Sequence, residues 1–186
     1  KMPDQAKKDL GKIEDCAIYS REIIKQLMEF SRQSSLSKEK INLNEVIDNG
    51  ITFLEARCIK NGITIVKQYT ENIIILADSN QLKQVITNLT INAVQAMKNG
   101  GKLIISTSKD YKNAILSIED TGIGISGENI SKTFMPFFTT KDVGEGTGLG
   151  LSVVYGIIQS HNGDIKVSSE PGKGTIFEIC LPLEEN

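Results

Sequence analysis

The chain has 186 residues, 39% of them hydrophobic, enough for one ordinary domain with a core plus an appendage. Its 21 basic and 23 acidic residues leave a net charge of -2, which excludes the basic excess of a nucleic-acid-binding protein. No apolar run approaches the ~18 residues of a membrane span and no signal-peptide pattern opens the chain. A cytoplasmic piece without membrane contact of its own is therefore expected, whether or not a parent protein is membrane-anchored. Cys16, Cys58 and Cys180 lie scattered without C-x-x-C spacing and read as reduced thiols used as small apolar residues.

Residues from about Asp4 to Ser34 predict one long helix. Leu10, Ile13, Ala17, Ser20, Ile24 and Leu27 follow the 3-4-3-4-3 seam of a coiled coil or antiparallel bundle, and Ile23, Met28 and Phe30 widen it. Such a face needs partner helices. Ser31 to Lys40 reads as a polar linker, which places a domain boundary near residue 37. Asn42 to Glu45 opens a helix with Val46, Ile47, Ile51 and Leu54 on one face, ending near Gly62. Ile63 to Lys67 and Ile73 to Leu76 predict strands. Asp78-Ser79 caps a helix running to Met97. Leu103 to Ser108 and Ala114 to Glu119 form a hairpin, and a short helix lies near Gly127 to Ser131. Leu149 to Gln159 is helical, and Asp164 to Ser169 with Gly174 to Leu181 closes the chain as a strand pair. The order is mixed α+β, a largely antiparallel sheet covered by helices on one face.

Two stretches carry the chemistry. Asp120-Thr121-Gly122-Ile123-Gly124 sets a carboxylate at a strand end, directly before a turn of two glycines. Gly144-Glu145-Gly146-Thr147-Gly148-Leu149-Gly150-Leu151 spaces four glycines alternately and opens an apolar helix. Glycines let backbone N–H groups approach a ligand closely, and the helix N-terminus adds orphan donors and partial positive charge suited to phosphate. A carboxylate beside the base can accept from adenine's exocyclic amine, where guanine presents a carbonyl. Leaving that carboxylate unpaired costs about 1–3 kcal/mol or more. Together they read as an ATP-binding module. Gly122 to Gly127 also matches G-x-G-x-x-G, but the following residues leave no room for the helix, second parallel strand and acidic ribose ligand of a dinucleotide fold. Neither Gly101-Lys102-Leu103 nor Gly172-Lys173-Gly174 completes a Walker loop.

On the helix of residues 79–97, Asn88 and Asn92 are four apart and share a face beside an apolar stripe. An amide oxygen can serve as one hard ligand for Mg²⁺; a pair of solvent-facing or network amides is the alternative that the residues leave open. Phe134 to Lys141 holds three of the six Phe without helix or strand period. It reads either as a lid over a ligand, with Lys141 on the terminal phosphates, or as local loop packing.

Asn88-Leu89-x-x-Asn92-Ala93, Asp120-x-Gly122-x-Gly124, Phe134-x-Pro136-Phe137-Phe138, Gly146-x-Gly148-x-Gly150 and Gly172-x-Gly174-Thr175 occur in the order found in sensor histidine kinase catalytic domains. Residues 42–183 resemble that family, part of the ATPase superfamily shared with gyrase and MutL, and most closely its nitrogen-regulator-like subtype. Asp9 to Arg32 resembles the second helix of the family's dimerisation hairpin, so residues 1–37 are expected to be its remnant and 38–186 the catalytic domain. The resemblance implies a two-layer α/β sandwich of Bergerat type, a mixed, mostly antiparallel sheet under three helices. It implies ATP/ADP and Mg²⁺ as cofactors, Asn92 as the Mg²⁺ ligand and Asn88 near the phosphates. Asp120 would bind the adenine amine, with Gly122, Gly124 and Thr175 shaping its pocket. Lys141, Gly146, Thr147, Gly148, Leu149 and Gly150 would hold the phosphates, and Asn88, Asn92 and Lys141 would be catalytic. The implied activity is γ-phosphoryl transfer to a histidine on the dimerisation helices, then to a response regulator receiver domain.

Two features depart from the pattern. Gln95 stands where many relatives carry Lys or Arg. The acceptor histidine, which the resemblance puts on an upstream helix, is absent, so the sequence reads as a fragment; the single His161 reads as a helix C-cap or turn residue. Two other classes stay open on the residues: an ATPase or serine-kinase relative, of which a Glu at position 88, as general base for water, would favour the hydrolase, and a nucleotide-responsive binding module.

Overall fold

The computed structural model describes residues 37–141 and 146–184, with residues 3, 5–7, 9–11, 13, 14, 17, 20, 21 and 24 before them. The described positions between 5 and 24 are helical, and Leu10, Ile13, Ala17, Ser20 and Ile24 of the predicted seam are exposed. Cys16, Ile23, Leu27, Met28, Phe30 and the stretch Ser31–Leu36 lie outside the described residues, as do Gly144 and Glu145.

In chain order the remaining elements are β1 (Glu39–Asn42), α1 (Leu43–Lys60), β2 (Ile63–Tyr69), β3 (Ile74–Ala77), α2 (Ser79–Ala96), β4 (Gly101–Lys109), β5 (Asn113–Asp120), α3 (Gly127–Ile130), α4 (Gly150–Ser160), β6 (Asp164–Glu170) and β7 (Gly174–Pro182). Both long helices start on side-chain caps. Asn42 accepts from the Asn44 N–H, and Asp78 accepts from those of Asn80 and Gln81, so orphan donors of the first turns are satisfied. The β4–β5 turn is held by Asp110, whose carboxylate takes the N–H groups of Lys112 and Asn113. Those bonds hold its carboxyl below the usual range.

Five strands form one sheet in the order β2-β4-β5-β7-β6. β2 runs parallel to β4 and every other neighbour is antiparallel, the mixed, mostly antiparallel sheet expected. Alternation with period two defines its faces. Leu103, Ile105 and Thr107, Ala114, Leu116 and Ile118, and Phe177, Ile179 and Leu181 are buried in three adjacent strands. They meet Ile47, Ile51, Leu82, Val85, Ile86, Leu89, Val154 and Ile158 of α1, α2 and α4 in one core. The intervening positions, such as Glu119, Ile176 and Glu178, lie on the open face.

One element departs from expectation. Glu39 and Lys40, assigned to the polar linker, open strand β1, which pairs antiparallel with β3 from Glu39↔Ala77 to Asn42↔Ile74. A four-residue strand of Glu-Lys-Ile-Asn is too short and too polar for its period to show. Its backbone bonds to β3, rather than side-chain burial, define it.

Candidate nucleotide-binding groove

The groove is framed by the end of β5, the polar face of α2 and the start of α4. Along β5 the inward-facing row is Ala114, Leu116, Ile118 and then Asp120. The last core slot of the strand therefore holds a carboxylate, only 5% exposed. Its Oδ1 accepts from the Gly122 N–H at 2.8 Å. Burial raises its pKa from the ordinary carboxylate value, partly countered by the N–H groups of Gly122 and Thr175. Buried carboxylates without a fixed cation are costly, and one at a strand end beside glycines has the features of a ligand acceptor.

Strand register sets this corner. Asp120 lies opposite Thr175 of β7, which in turn lies opposite Ser169 of β6. Ser169 Oγ donates to the Gly174 carbonyl at 2.7 Å, accepts from the Ile125 N–H at 2.7 Å and sits 3.0 Å from Thr175 Oγ1. With its own proton used on Gly174, Ser169 leaves Thr175 as the donor in that pair. Gly174 has φ +98, and a Cβ there would stand 1.8 Å from the Asp120 carbonyl oxygen, so only glycine fits. The Asp120–Gly124 loop is strapped to α2 by the bond from the Ile123 N–H to the Ala96 carbonyl and to the β6–β7 turn by that from the Gly172 N–H to the Ile123 carbonyl.

Asn88 and Asn92 are half-buried on α2. Asn88 Nδ2 donates to the Gly150 carbonyl at 3.3 Å, tying α2 to the first turn of α4. Lys141 Nζ donates to Asn92 Oδ1 at 3.2 Å and to Gln95 Oε1. Gly146 lies against the Lys141 side chain, and Thr147 Oγ1 accepts from the Leu149 N–H at 3.3 Å. Leu149 is the N-cap residue of α4 and its apolar side chain caps none of the helix's first N–H groups. At Gly148 (φ +69) a Cβ would lie 2.4 Å from the Phe137 carbonyl carbon, and Phe137 itself is left-handed at φ 65. Behind this loop the Phe134 ring is tilted against Tyr155 and edge-on to Phe177, with ring centroids 5.6 and 6.4 Å away.

All the predicted residues thus fall into two clusters along α2. Asp120, Gly122, Gly124 and Thr175 gather beside Ala96; Asn88, Asn92, Lys141, Gly146, Thr147, Gly148, Leu149 and Gly150 gather up to two turns earlier. Asn88 to Ala96 spans about 12 Å of helix, a length that suits a base at one end and phosphates at the other. Three contributors escaped the sequence. Ser169 is an unremarked strand serine, the Gln95 contact needs the fold, and Phe137's backbone has no local signal. His161, as expected, is the C-cap of α4: Nε2 accepts from the Asp78 N–H at 2.9 Å, and Nδ1–H donates to the Ile157 carbonyl at 2.8 Å. Burial lowers its pKa. A separate cleft of about 170 Å³, bounded by Lys38, Ile75, His161, Leu181 and Leu183, shares no residue with the groove.

A mixed sheet under three helices, with the groove on the helical side, defines a two-layer α/β domain of the ATP-binding type. Residues 77–185 match the family described as histidine kinase-, DNA gyrase B-, and HSP90-like ATPase, and the chain belongs to that family. Its relatives include sporulation kinases and sensor histidine kinases. It is 35% identical over 166 residues to sporulation kinase C of Bacillus subtilis (strain 168), covering 88% of this chain and 38% of that protein. It is 40% identical over 164 residues to the signal transduction histidine-protein kinase AtoS of Escherichia coli (strain K12), covering 87% of this chain and 26% of that one. It superposes with TM-score 0.81 and 30% identity on histidine kinase ThkA solved in complex with the response regulator protein TrrA, covering 99% of this chain and 53% of that one. The chain therefore spans well under half the length of these curated relatives.

Proposed function

We propose that this chain is the catalytic part of a sensor histidine kinase, transferring the γ-phosphoryl group of ATP to a histidine on dimerisation helices, from which a response regulator receives it. The observation that carries the reading is Asp120, a carboxylate occupying a core slot at the open end of β5 with its polar neighbours fixed by strand register. Adenine's amine gives that carboxylate a donor, whereas guanine would set a carbonyl oxygen against it. The N–H groups at the start of α4, with Gly146, Gly148 and Gly150 removing side-chain bulk, favour the phosphates. Lys141 adds a point charge on a flexible stem.

The residues fit a divalent cation. Asn92 Oδ1 is a hard oxygen already facing a positive group, the Lys141 ammonium, and a nucleotide's phosphate oxygens would supply further ligands of the same kind. When bound, Mg²⁺ neutralises charge on the triphosphate. Asn92 would hold it and Asn88 would steady the neighbouring start of α4. Asn88 cannot abstract a proton, which favours transfer to an imidazole nucleophile over general-base activation of water. The helical, exposed seam of Leu10, Ile13 and Ile24 supports residues 1–37 as part of a dimerisation hairpin and 38–186 as the catalytic domain. Among the described residues no helix is long and apolar enough to cross a membrane; a cytoplasmic location belongs to this same proposal.

The test is thermal stability with ADP, ATP and GDP, with and without Mg²⁺, beside Asp120→Asn and Asn92→Ala. At 100 times its dissociation constant an adenine nucleotide should stabilise the chain by about 2.7 kcal/mol. Asp120→Asn should abolish that shift and Asn92→Ala its Mg²⁺ dependence. A folded chain that no nucleotide shifts would refute the reading. Incubation with a separate acceptor hairpin and labelled ATP should then yield acid-labile phosphohistidine.

A further inference from the structure

The face of α2 that carries Asn88 and Asn92 continues three residues on to Gln95. Lys141 comes to this face from the loop side. Its ammonium is shared between Asn92 Oδ1 and Gln95 Oε1, and its stem runs past Gly146, where an added Cβ would lie 3.1 Å from Cδ. Two amide oxygens one helical turn apart hold the ammonium at the end of its four-carbon stem more firmly than either alone. The side chain at 95 must accept for this to work. Lysine or arginine there would present only donors and a like charge, and leucine would fill the space without an acceptor.

We propose that Gln95 is a positioning residue that holds Lys141 against Asn92, so that the lysine ammonium and the divalent cation of the bound nucleotide compete for one amide oxygen. The inference rests on the assignment of Asn92 as metal ligand given above. The lysine is kept within reach of the terminal phosphates, and the groove keeps a positive charge at Asn92 whichever cation occupies that oxygen. Gln95 also becomes a setting for metal demand, because the stronger its hold on Lys141, the more Mg²⁺ is needed to take Asn92.

Two measurements on the whole chain decide it. In the first, lysine acetylation without nucleotide is read residue by residue by mass spectrometry. Lys141 should react about fivefold faster in Gln95→Leu than in the parent chain, the population change expected from losing one part-exposed hydrogen bond of ordinary net strength. Gln95→Lys should do the same by repulsion, Gln95→Glu should not, and Lys166 on β6 should be unaffected in all three. In the second, Mg²⁺ is titrated against the ADP-induced thermal shift; Gln95→Leu should need about fivefold less Mg²⁺, whereas simple damage to the groove would raise the requirement. Equal Lys141 reactivity in the parent and both Leu and Lys variants overturns the proposal, and so does an unchanged or raised Mg²⁺ requirement. A parent chain that binds no adenine nucleotide overturns the functional reading instead, which the acetylation result does not depend on.

Discussion

The two ends of the groove are built differently. The Asp120 end is a product of strand register: β5, β7 and β6 bring Asp120, Thr175 and Ser169 into line, and Gly174 lets two backbones meet where no side chain fits. The Lys141 end is assembled from a helix face, a loop and the first turn of another helix, joined by side-chain bonds such as Asn88 to Gly150 and Lys141 to Asn92 and Gln95. A ladder of backbone bonds leaves little room for adjustment, whereas amides and an ammonium can exchange partners. On the proposed function, base selection would be pre-organised and phosphate binding adjustable, a division suited to a site that must discriminate adenine yet release a shortened nucleotide.

The comparison breaks most visibly at Gly174. Gly174→Ala combines φ +98 with a Cβ 1.8 Å from the Asp120 carbonyl oxygen, and should cost about 4 kcal/mol or more in urea unfolding, taking the Asp120 corner with it. If the loss is small, register does not hold that corner.

His161 probes the adjustable end from behind, because it pins the far end of α4 to the N-cap of α2. His161→Ala leaves the part-buried Asp78 N–H without its His161 acceptor and should cost about 1 kcal/mol. It should weaken ADP more than adenosine, as isothermal titration can show. Its pH dependence has a definite sign. Burial lowers the folded pKa below 6.5, so on acidification the unfolded chain takes the proton first and stability falls as pH drops through about 6.5. That component should vanish in His161→Ala.

Gly172→Ala is the matched control for Gly174. Its φ is +79 but nothing lies within 4 Å of the added Cβ, so only the left-handed strain of about 1 kcal/mol should appear. The smallest expected effect has the opposite sign. Burial raises the Asp120 pKa, so the folded state holds that proton more tightly than the unfolded chain, and ionisation destabilises the fold as pH rises past the carboxylate range. Without ligand, Asp120→Asn should therefore melt slightly higher than the parent near neutral pH and lose that advantage in acid. A lower melting point at neutral pH would mean that the carboxylate is there for the fold rather than for a ligand.

Much of this was legible in the residues because it is local. The helix starts at Asn42 and Asp78, the carboxylate at the end of the Ala114 to Glu119 strand and the glycines of the two loops follow from φ preferences, period and hydrogen-bonding groups that each segment carries itself. The fold brings Asp120 opposite Thr175, and Asn88, Asn92 and Lys141 to one face of α2. What escaped depends on partners distant in the chain. Strand β1 exists because β3 offers it a free edge, β2 runs parallel to β4 because α2 carries the chain between β3 and β4, and Ser169 matters because β6 meets β7 at one register. The sequence by itself determined the elements and the chemistry available at each glycine box, since backbone preference and side-chain type are properties of short segments. Only the tertiary structure decided that Gln95 and Asn92 would share one lysine and that a carboxylate would end a row of core side chains against Thr175, because which groups face each other across a fold is settled by packing the whole chain at once.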